Sequence, residues 1–180
     1  MRGIVFTELL DLVEDKFGYE VVDQVLQKVK PDTSEAYTSV GSYPHRELVA
    51  ILVELSQVLD QSIESLMELY GHHLFGVFGQ RYSSLFIPGI DAFSFLASVE
   101  DHIHPEVLKL YPDAELPKFD IQSNDESGLI MVYHSKRQMG NFALGLIKGC
   151  LEYFEEHADI LMENLNDDAS AVRFTIRRRA

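Results

Sequence analysis

The segment "LIMVYHSKR" (129–137) marks the point at which the sequence pattern changes from helical to extended. It is rich in β-branched and aromatic residues, which predicts a strand. The preceding segment "PKFDIQSND" (117–125) alternates in polarity, and "SNDESG" (123–128) is typical of a turn, so the two segments predict a β-hairpin. Further along the chain, "DILMENLNDDASAVRFTIRR" (159–178) predicts two more strands around "NDDAS".

Helical patterns fill the chain before the first hairpin and the segment between the two hairpins. In the first helical segment, 3–18, apolar residues recur at a spacing typical of one helix face, and Gly18 is a stop signal. The long pattern near the middle predicts a helix from about Asp91 to Pro112, in which Pro105 removes one hydrogen bond and can kink the helix next to His104. The predicted helical segments are 3–18, 19–29, 44–60, 62–82, 89–112 and 139–158. The order helices, hairpin, helix, hairpin predicts an α+β fold with a four-stranded antiparallel sheet on one side.

Length and composition indicate a single ordinary globular domain over residues 1–180. The net charge of −14 argues against nucleic-acid binding and favours a partner with a basic face. No apolar run is long enough for a membrane span or a signal peptide, so we expect a cytoplasmic protein. Cys150 is the single cysteine, which excludes an internal disulfide and a CxxC metal site. The basic run Arg177–Arg179 is expected to be a solvated tail.

Two histidines in "DHIHPEVLKLYP" (101–112) are candidates for chemistry, and helix phase separates them. Residues three, four and seven positions from His104 are largely apolar, whereas those around His102 are largely polar, so we expect His104 to point inward. An inward histidine can be a core residue that is hydrogen-bonded to a carbonyl, or it can be an axial ligand of heme iron. His72 and His73 are adjacent on a helix and diverge too far to chelate one zinc ion easily.

The predicted strand 129–137 carries a row of hydrogen-bond donors. Residues two apart on a strand face the same side, which aligns Tyr133, Ser135 and Arg137. Two hydroxyl groups and a guanidinium group suit a carboxylate or a phosphate, although alternating polar residues are also common on edge strands. A histidine that can hold iron and a donor row that can hold carboxylates together match the two kinds of group that a heme presents.

These segments resemble the bacterial H-NOX family of heme nitric oxide/oxygen binding domains. The resemblance extends over essentially the whole chain and is carried by "HPEVLKLYP" (104–112), by "YHSKR" (133–137) and by "FALGLIKG" (142–149). It implies the H-NOX fold, a heme b cofactor, a distal helical subdomain near residues 1–60 and a proximal, heme-holding subdomain near residues 61–180.

The resemblance also implies individual roles. His104 would be the proximal iron ligand, and Tyr133, Ser135 and Arg137 would bind the heme propionates. Pro117 would press on the porphyrin. The residues expected to line the heme are Ile4, Leu74, Phe78, Pro117, Phe142 and Leu146.

Ligand selectivity is implied by one position. Oxygen-binding members of the family place a distal tyrosine where this chain has Phe142, and the other expected distal neighbours are apolar. The resemblance therefore implies a sensor that binds nitric oxide and carbon monoxide but excludes oxygen. Nitric oxide would weaken the bond between His104 and iron, and the helix that bears His104 would shift. Because the chain ends after one domain, we expect the output in a separate histidine kinase or cyclic-di-GMP enzyme.

Two other classes of function are alternatives to the sensor. A heme enzyme such as a peroxidase needs polar distal groups, and no distal histidine–arginine pair is evident. A hydrolase needs a nucleophile beside a base, but Ser135 and His134 are expected to face opposite sides of their strand. We therefore expect no enzymatic activity. A metal-free protein-binding adaptor is the remaining alternative.

Overall fold

The computed structural model describes residues 1–29 and 36–179, and Leu85 through its backbone only. It divides into two compact units, Met1–Tyr70 and Gly71–Ala180. The sequence-based subdomain boundary near residue 60 falls within the first of these units. No helix in the described part of the chain combines the length and the hydropathy that a membrane span requires.

The first unit is built from helices whose apolar faces form its core. Helix α1 spans Ile4–Phe17, α2 spans Tyr19–Val29 and α3 spans His45–Leu59. Gly18 ends α1 with a φ of 92°, a conformation that glycine adopts without steric cost, so the predicted stop signal is confirmed. The buried apolar residues of the three helices are Ile4, Phe6, Leu9, Leu12, Val13, Val22, Val25, Leu48, Ile51, Leu52 and Leu55.

Helix α4, Ile63–Arg81, begins in the first unit and continues into the second. Its N-terminus is capped by Ser62, whose Oγ accepts a hydrogen bond from the backbone N–H of Ser65 at 3.1 Å. Near the middle of α4, Tyr70 is fully buried, and its hydroxyl donates to the carbonyl of Val5. This bond joins α4 to the first turn of α1 within the first unit.

The second unit is built around a four-stranded antiparallel sheet of strand order β1-β2-β4-β3. Strands β1 (Lys118–Asp125) and β2 (Gly128–His134) form one hairpin, and β3 (Ala158–Asn164) and β4 (Ala171–Arg178) form the other. Helix α7, Gly140–Tyr153, connects them. The predicted α+β fold and hairpin order are confirmed. The first turn is shorter than predicted, since only residues 126 and 127 lie between the two strands.

One face of the sheet forms the core of the second unit. The register places Leu129, Met131 and Tyr133 of β2 opposite Ile176, Phe174 and Val172 of β4. All six side chains are buried, together with apolar residues of α7 and of the helix at 92–97. Cross-strand apolar pairs of this kind stabilise a sheet and fix its register, because a slip of one residue would turn every core side chain toward the other face.

The predicted helix from Asp91 to Pro112 is not one regular helix, and the irregularity lies next to Pro105, where a kink was expected. The chain forms α5 (Ala92–Ala97), a π-helical turn (Val99–Ile103) and α6 (His104–Leu110). Pro105 supplies no N–H and its ring would clash with the carbonyl four residues earlier in a regular α-helix. In the π-helical turn the backbone N–H of His104 bonds instead to the carbonyl of Val99, five residues back. The α-helix then resumes with proline in its first turn.

Arg177–Arg179 are exposed, as expected, but they do not form a free tail. Arg177 and Arg178 belong to β4. The Arg178 guanidinium lies 2.9 Å from Asp91 and 3.1 Å from Glu156, and its central carbon lies 3.8 Å from the centre of the Phe93 ring. Arg179 pairs with Asp159 at the start of β3. Carboxylates from neighbouring elements therefore hold this basic segment in place.

Helices α4 and α7 approach each other closely at glycine residues within the second unit. A Cβ atom added to Gly149 would lie 2.7 Å from the backbone oxygen of His72 and 2.8 Å from the Cβ of Phe75. A Cβ atom added to Gly71 would lie 2.2 Å from the backbone oxygen of Phe142. The two backbones thus meet without intervening side chains, which sets the spacing of the side chains on either side of the crossing.

We expect Gly149→Ala to lower the free energy of unfolding by about 1–3 kcal/mol, because the added methyl group meets backbone that cannot move independently. The matched control is Gly76→Ala in α4, where an added Cβ meets no atom within 4 Å. That substitution should raise stability by about 0.5–1 kcal/mol through helix propensity. Urea denaturation of the three proteins measures both effects, and equal stability of Gly149→Ala and the wild type would contradict the close approach.

Candidate functional site

His104 begins α6, immediately after the π-helical turn, and its side chain is only 13% exposed. Burial lowers the pKa of His104, although the carboxylate of Glu100 acts in the opposite direction. The imidazole is therefore neutral at neutral pH. Its Nδ1 atom lies 3.2 Å from Oε2 of Glu100, and its Nε2 atom forms no hydrogen bond with the described residues. A neutral ring with one nitrogen uncommitted is the form that can bind a metal.

Tyr133, Ser135 and Arg137 lie close together, but not because they share one strand. Strand β2 ends at His134, and the chain then turns, with the N–H of Gln138 donating to the carbonyl of Ser135 at 3.2 Å. Gln138 has a φ of 55°, the left-handed conformation of such turns. The predicted strand through residue 137 is therefore wrong at its end. Alternation places Tyr133 only, and the turn places the other two residues.

The turn brings the three polar side chains into one cluster. The Ser135 hydroxyl accepts a hydrogen bond from the backbone N–H of Arg137 at 3.2 Å. Burial raises the pKa of Tyr133, while its hydrogen bond with Ser135 and the positive charge of Arg137 partly oppose that rise. The phenol therefore keeps its proton at neutral pH and can donate a hydrogen bond. The cluster presents neutral donors beside a permanent positive charge.

Arg137 already binds a carboxylate. Its guanidinium lies 2.5 Å from a carboxylate oxygen of Glu115 and donates to the Glu115 backbone carbonyl at 3.1 Å. The Arg137 side chain is 16% exposed, whereas that of Glu115 is 84% exposed. An exposed acid on a loop is an easily displaced partner, and ion pairs of this kind contribute little stability. The Arg137 guanidinium is therefore positioned to bind a carboxylate. The Glu115 carboxylate that holds it there can be replaced by another.

Phe119 connects the histidine to the polar cluster. Its ring centre lies 5.8 Å from that of His104 and 5.6 Å from that of Tyr133. Phe119 is in β1, directly opposite Tyr133 of β2. The two candidate motifs, which are separated by almost thirty residues in the sequence, therefore both contact a single aromatic ring. Sequence reasoning missed Phe119 and Glu100, although the spacing of Glu100 four residues before His104 was a readable signal.

The expected pocket residues lie on several elements. Leu74 is buried and Phe78 half-buried on α4, and Phe142 and Leu146 are half-buried on α7. The backbone of Phe142 and Leu146 lies at the close approach of α7 to Gly71, and Leu74 and Phe78 follow Gly71 along α4. The remaining two predicted residues are elsewhere: Pro117 is half-buried just before β1, and Ile4 is buried on α1 in the first unit. Their role at a heme stays a prediction.

His102, which helix phase placed outward, is half-buried in the π-helical turn. Within the described residues, no group of three or more histidine, cysteine, aspartate or glutamate side chains is arranged to hold a metal ion. His104 offers a single imidazole nitrogen, which suits a metal that brings most of its own ligands. A porphyrin does so, and leaves one axial position for a protein imidazole.

Comparison with known proteins identifies the class. A family model described as Haem-NO-binding matches residues 2–162. The H-NOX protein of K. algicida, solved as the unliganded Fe(II) form, is 42% identical, with 100% of this chain and 97% of that chain aligned and a TM-score of 0.95. The H-NOX protein of Shewanella woodyi, solved with IWP-051 in the Fe(II)CO state, is 39% identical over 99% of this chain and 95% of that one, with a TM-score of 0.85.

A third similar structure, the H-NOX protein of S. oneidensis in the Fe(II)NO state, is 28% identical over the full length of both chains, with a TM-score of 0.91. A search of curated protein sequences finds no match. The protein is a heme-binding gas-sensor domain of mixed helix and sheet. It belongs to the Haem-NO-binding, or H-NOX, family, as the sequence resemblance indicated.

The residues of this chain fit a heme. A buried neutral imidazole offers Nε2 as an axial ligand, and Tyr133, Ser135 and Arg137 offer donors of the kind that bind a carboxylate. Apolar side chains on α4 and α7 would supply the surroundings that exclude water from a porphyrin. The membership of a heme-binding sensor family does not favour the alternative of a metal-free adaptor.

Proposed function

We propose that this protein is a nitric oxide sensor that binds heme b through His104 and the cluster of Tyr133, Ser135 and Arg137. The observation that supports it best is the arrangement around Phe119, which places a neutral imidazole with a free Nε2 atom beside a set of carboxylate-binding donors. When bound, the heme supplies an iron centre with one position open to a diatomic gas. Ile4, Leu74, Phe78, Pro117, Phe142 and Leu146 would line the cofactor.

We further propose that the protein binds nitric oxide and carbon monoxide but excludes oxygen. Similar H-NOX proteins have been solved in Fe(II)NO and Fe(II)CO states. The selectivity rests on Phe142, because bound oxygen is stabilised by a hydrogen-bond donor and a phenylalanine side chain has none. Nitric oxide and carbon monoxide depend less on such a donor. The site would therefore sense gas without the polar distal groups that heme enzymes use, which supports a regulatory role over a catalytic one.

The response would be passed to a separate signalling protein, a histidine kinase or a cyclic-di-GMP enzyme, in the cytoplasm. The net charge of −14 supports a partner with a basic contact face, since long-range attraction speeds encounter between oppositely charged surfaces. Because a ligand shifts a two-state protein only by its differential affinity, nitric oxide must bind one conformation of the sensor more tightly than the other.

We expect His104→Gly to remove the protein ligand of iron and to abolish heme incorporation, or to make it dependent on added imidazole, which can occupy the vacated space. The control is His102→Gly, which should keep the ferrous absorption spectrum of the wild type. Absorption spectra of the purified ferrous proteins measure both. A native-like spectrum in His104→Gly together with heme loss in His102→Gly would show that the assignment is wrong.

We expect Arg137→Ala to accelerate heme transfer to an apo-globin acceptor. A hydrogen bond to a charged group contributes about 1.5–3 kcal/mol, which corresponds to roughly a ten- to hundredfold faster loss if the interaction is absent from the dissociating state. Lys136→Ala is the matched control, because Lys136 is an exposed cation in the same turn. Equal transfer rates for the wild type and for both Arg137→Ala and Tyr133→Ala would contradict the propionate assignment.

We expect the ferrous protein to show no stable oxygen complex in air, yet to bind nitric oxide and carbon monoxide. Without a distal donor, an oxygen complex lacks about 1.5–3 kcal/mol, or roughly ten- to more than a hundredfold in affinity. Absorption spectra under each gas measure the selectivity. A persistent oxygen complex would contradict the proposal. If such a complex forms, His73→Leu tests whether His73 is the donor that stabilises it. Within the described residues, Nε2 of His73 is buried without a hydrogen-bond partner.

A further inference from the structure

Glu100 contacts the predicted iron ligand on the side away from its free nitrogen. We infer that Glu100 is a positioning residue that fixes the orientation and protonation of His104 and strengthens its bond to heme iron. The inference rests on the proposed function, because it concerns the strength of a bond that His104 forms only with bound heme. Glu100 lies outside the three segments that carry the family resemblance, so its role is additional to the proposed function.

The geometry at Glu100 centres on one oxygen atom. Oε2 lies 3.2 Å from Nδ1 of His104 and also accepts a hydrogen bond of 3.0 Å from the backbone N–H of Phe119. The Glu100 side chain is one-third exposed, and the His104 side chain is mostly buried. A carboxylate oxygen only accepts hydrogen bonds, so the proton of the neutral imidazole resides on Nδ1. Nε2 then carries the lone pair that a metal requires.

A negatively charged acceptor has an electronic effect on the ring. Histidine ligands in metal sites usually donate their second N–H to a carboxylate, a carbonyl or water, and a carboxylate raises the basicity of the ligating nitrogen. A more basic Nε2 donates more electron density to iron and binds it more strongly. The family resemblance implies that nitric oxide would weaken the bond between His104 and iron, so the strength of that bond would set how readily the sensor responds.

The backbone contact explains why Glu100 can hold His104 in one orientation. Strand β1 is at the edge of the sheet, where backbone N–H groups lack a strand partner on one side. Glu100 accepts from one such group at Phe119, and Phe119 packs against both His104 and Tyr133. The carboxylate is thereby anchored to the sheet rather than to a mobile loop. It links the π-helical turn that precedes the ligand to the strand that borders the donor cluster.

The experiment compares the wild type with Glu100→Gln and Glu100→Ala as ferrous heme proteins. Glutamine retains an acceptor oxygen but removes the charge, whereas alanine removes both. The matched control is Glu106→Gln in α6, whose carboxylate pairs with Lys109 at 2.5 Å. We expect the iron–histidine stretching frequency, measured by resonance Raman spectroscopy, to fall from wild type to Glu100→Gln and further to Glu100→Ala, while Glu106→Gln matches the wild type.

Heme transfer to apo-globin provides a second readout. Loss of a partner that orients a metal ligand typically costs about ten- to a hundredfold in affinity, so we expect transfer from Glu100→Ala to accelerate by about that factor. Thermal melting of the same samples separates this effect from loss of the fold. A role confined to structure, through the Phe119 contact, would lower the melting temperature but leave the iron–histidine frequency of Glu100→Gln at the wild-type value.

The outcomes distinguish the inference from the function on which it rests. A wild type without heme, or an iron–histidine band that persists in His104→Gly without added imidazole, would overturn the proposed function. A wild type with His104-ligated heme, but with unchanged frequencies in both Glu100 variants, would overturn only the role of Glu100. A graded fall in frequency with a normal Glu106→Gln control would support it.

Discussion

The pairing of Phe119 with Tyr133 across strands β1 and β2 is the constraint on which the candidate site depends. Antiparallel register places these residues opposite each other, and their rings lie 5.6 Å apart. Strand β2 is held on its other side by β4, where Val172 is the partner of Tyr133. Because β2 is central and its core face is fully buried, a register slip would expose that face to solvent. The sheet therefore fixes the position from which Phe119 reaches His104.

The approach of His104 from the other direction is set by a proline. Pro105 prevents a regular α-helix through residues 92–110, and the chain responds with a π-helical turn directly before His104. Such turns are frequent at functional sites, since they change the direction of a side chain without ending the helix. In this chain Glu100 lies within the turn and His104 directly after it. The turn therefore positions both the carboxylate and the imidazole whose Nδ1 it contacts.

The sequence predicted the elements far better than their ends. Helical spacing and strand-forming residues identified helices α1 to α4, helix α7 and the four strands, because burial of one face requires such patterns whatever the details of the packing. Pro105 indicated where the long helix would be disturbed, but apolar spacing does not record how the backbone responds, so the π-helical turn at 99–103 was not predicted. Arg178 was assigned to a tail because its partners, Asp91 and Glu156, are distant in sequence and meet it only in the folded chain.

The segment "YHSKR" (133–137) shows how a correct grouping can follow from an incorrect reason. Strand alternation was expected to align Tyr133, Ser135 and Arg137, but the strand ends before Ser135 and a turn gathers the last two residues. Local pattern could identify the residue types that bind a carboxylate, but not the backbone path that presents them. Phe119 was missed for the same cause, since its two ring contacts join separate segments, whereas Glu100 was missed although its spacing from His104 was a local signal.

The physical consequence is a continuous set of contacts from the π-helical turn to the donor cluster: Glu100 to His104, both to Phe119, and Phe119 to Tyr133. Each contact is short and directional or packed ring against ring, and interiors of this density transmit displacement rather than absorb it. A change in the position of His104 must therefore alter its hydrogen bond with Glu100 or its packing on Phe119. If nitric oxide moves His104 as the proposed function requires, that movement would reach the edge of the sheet through residues of this chain.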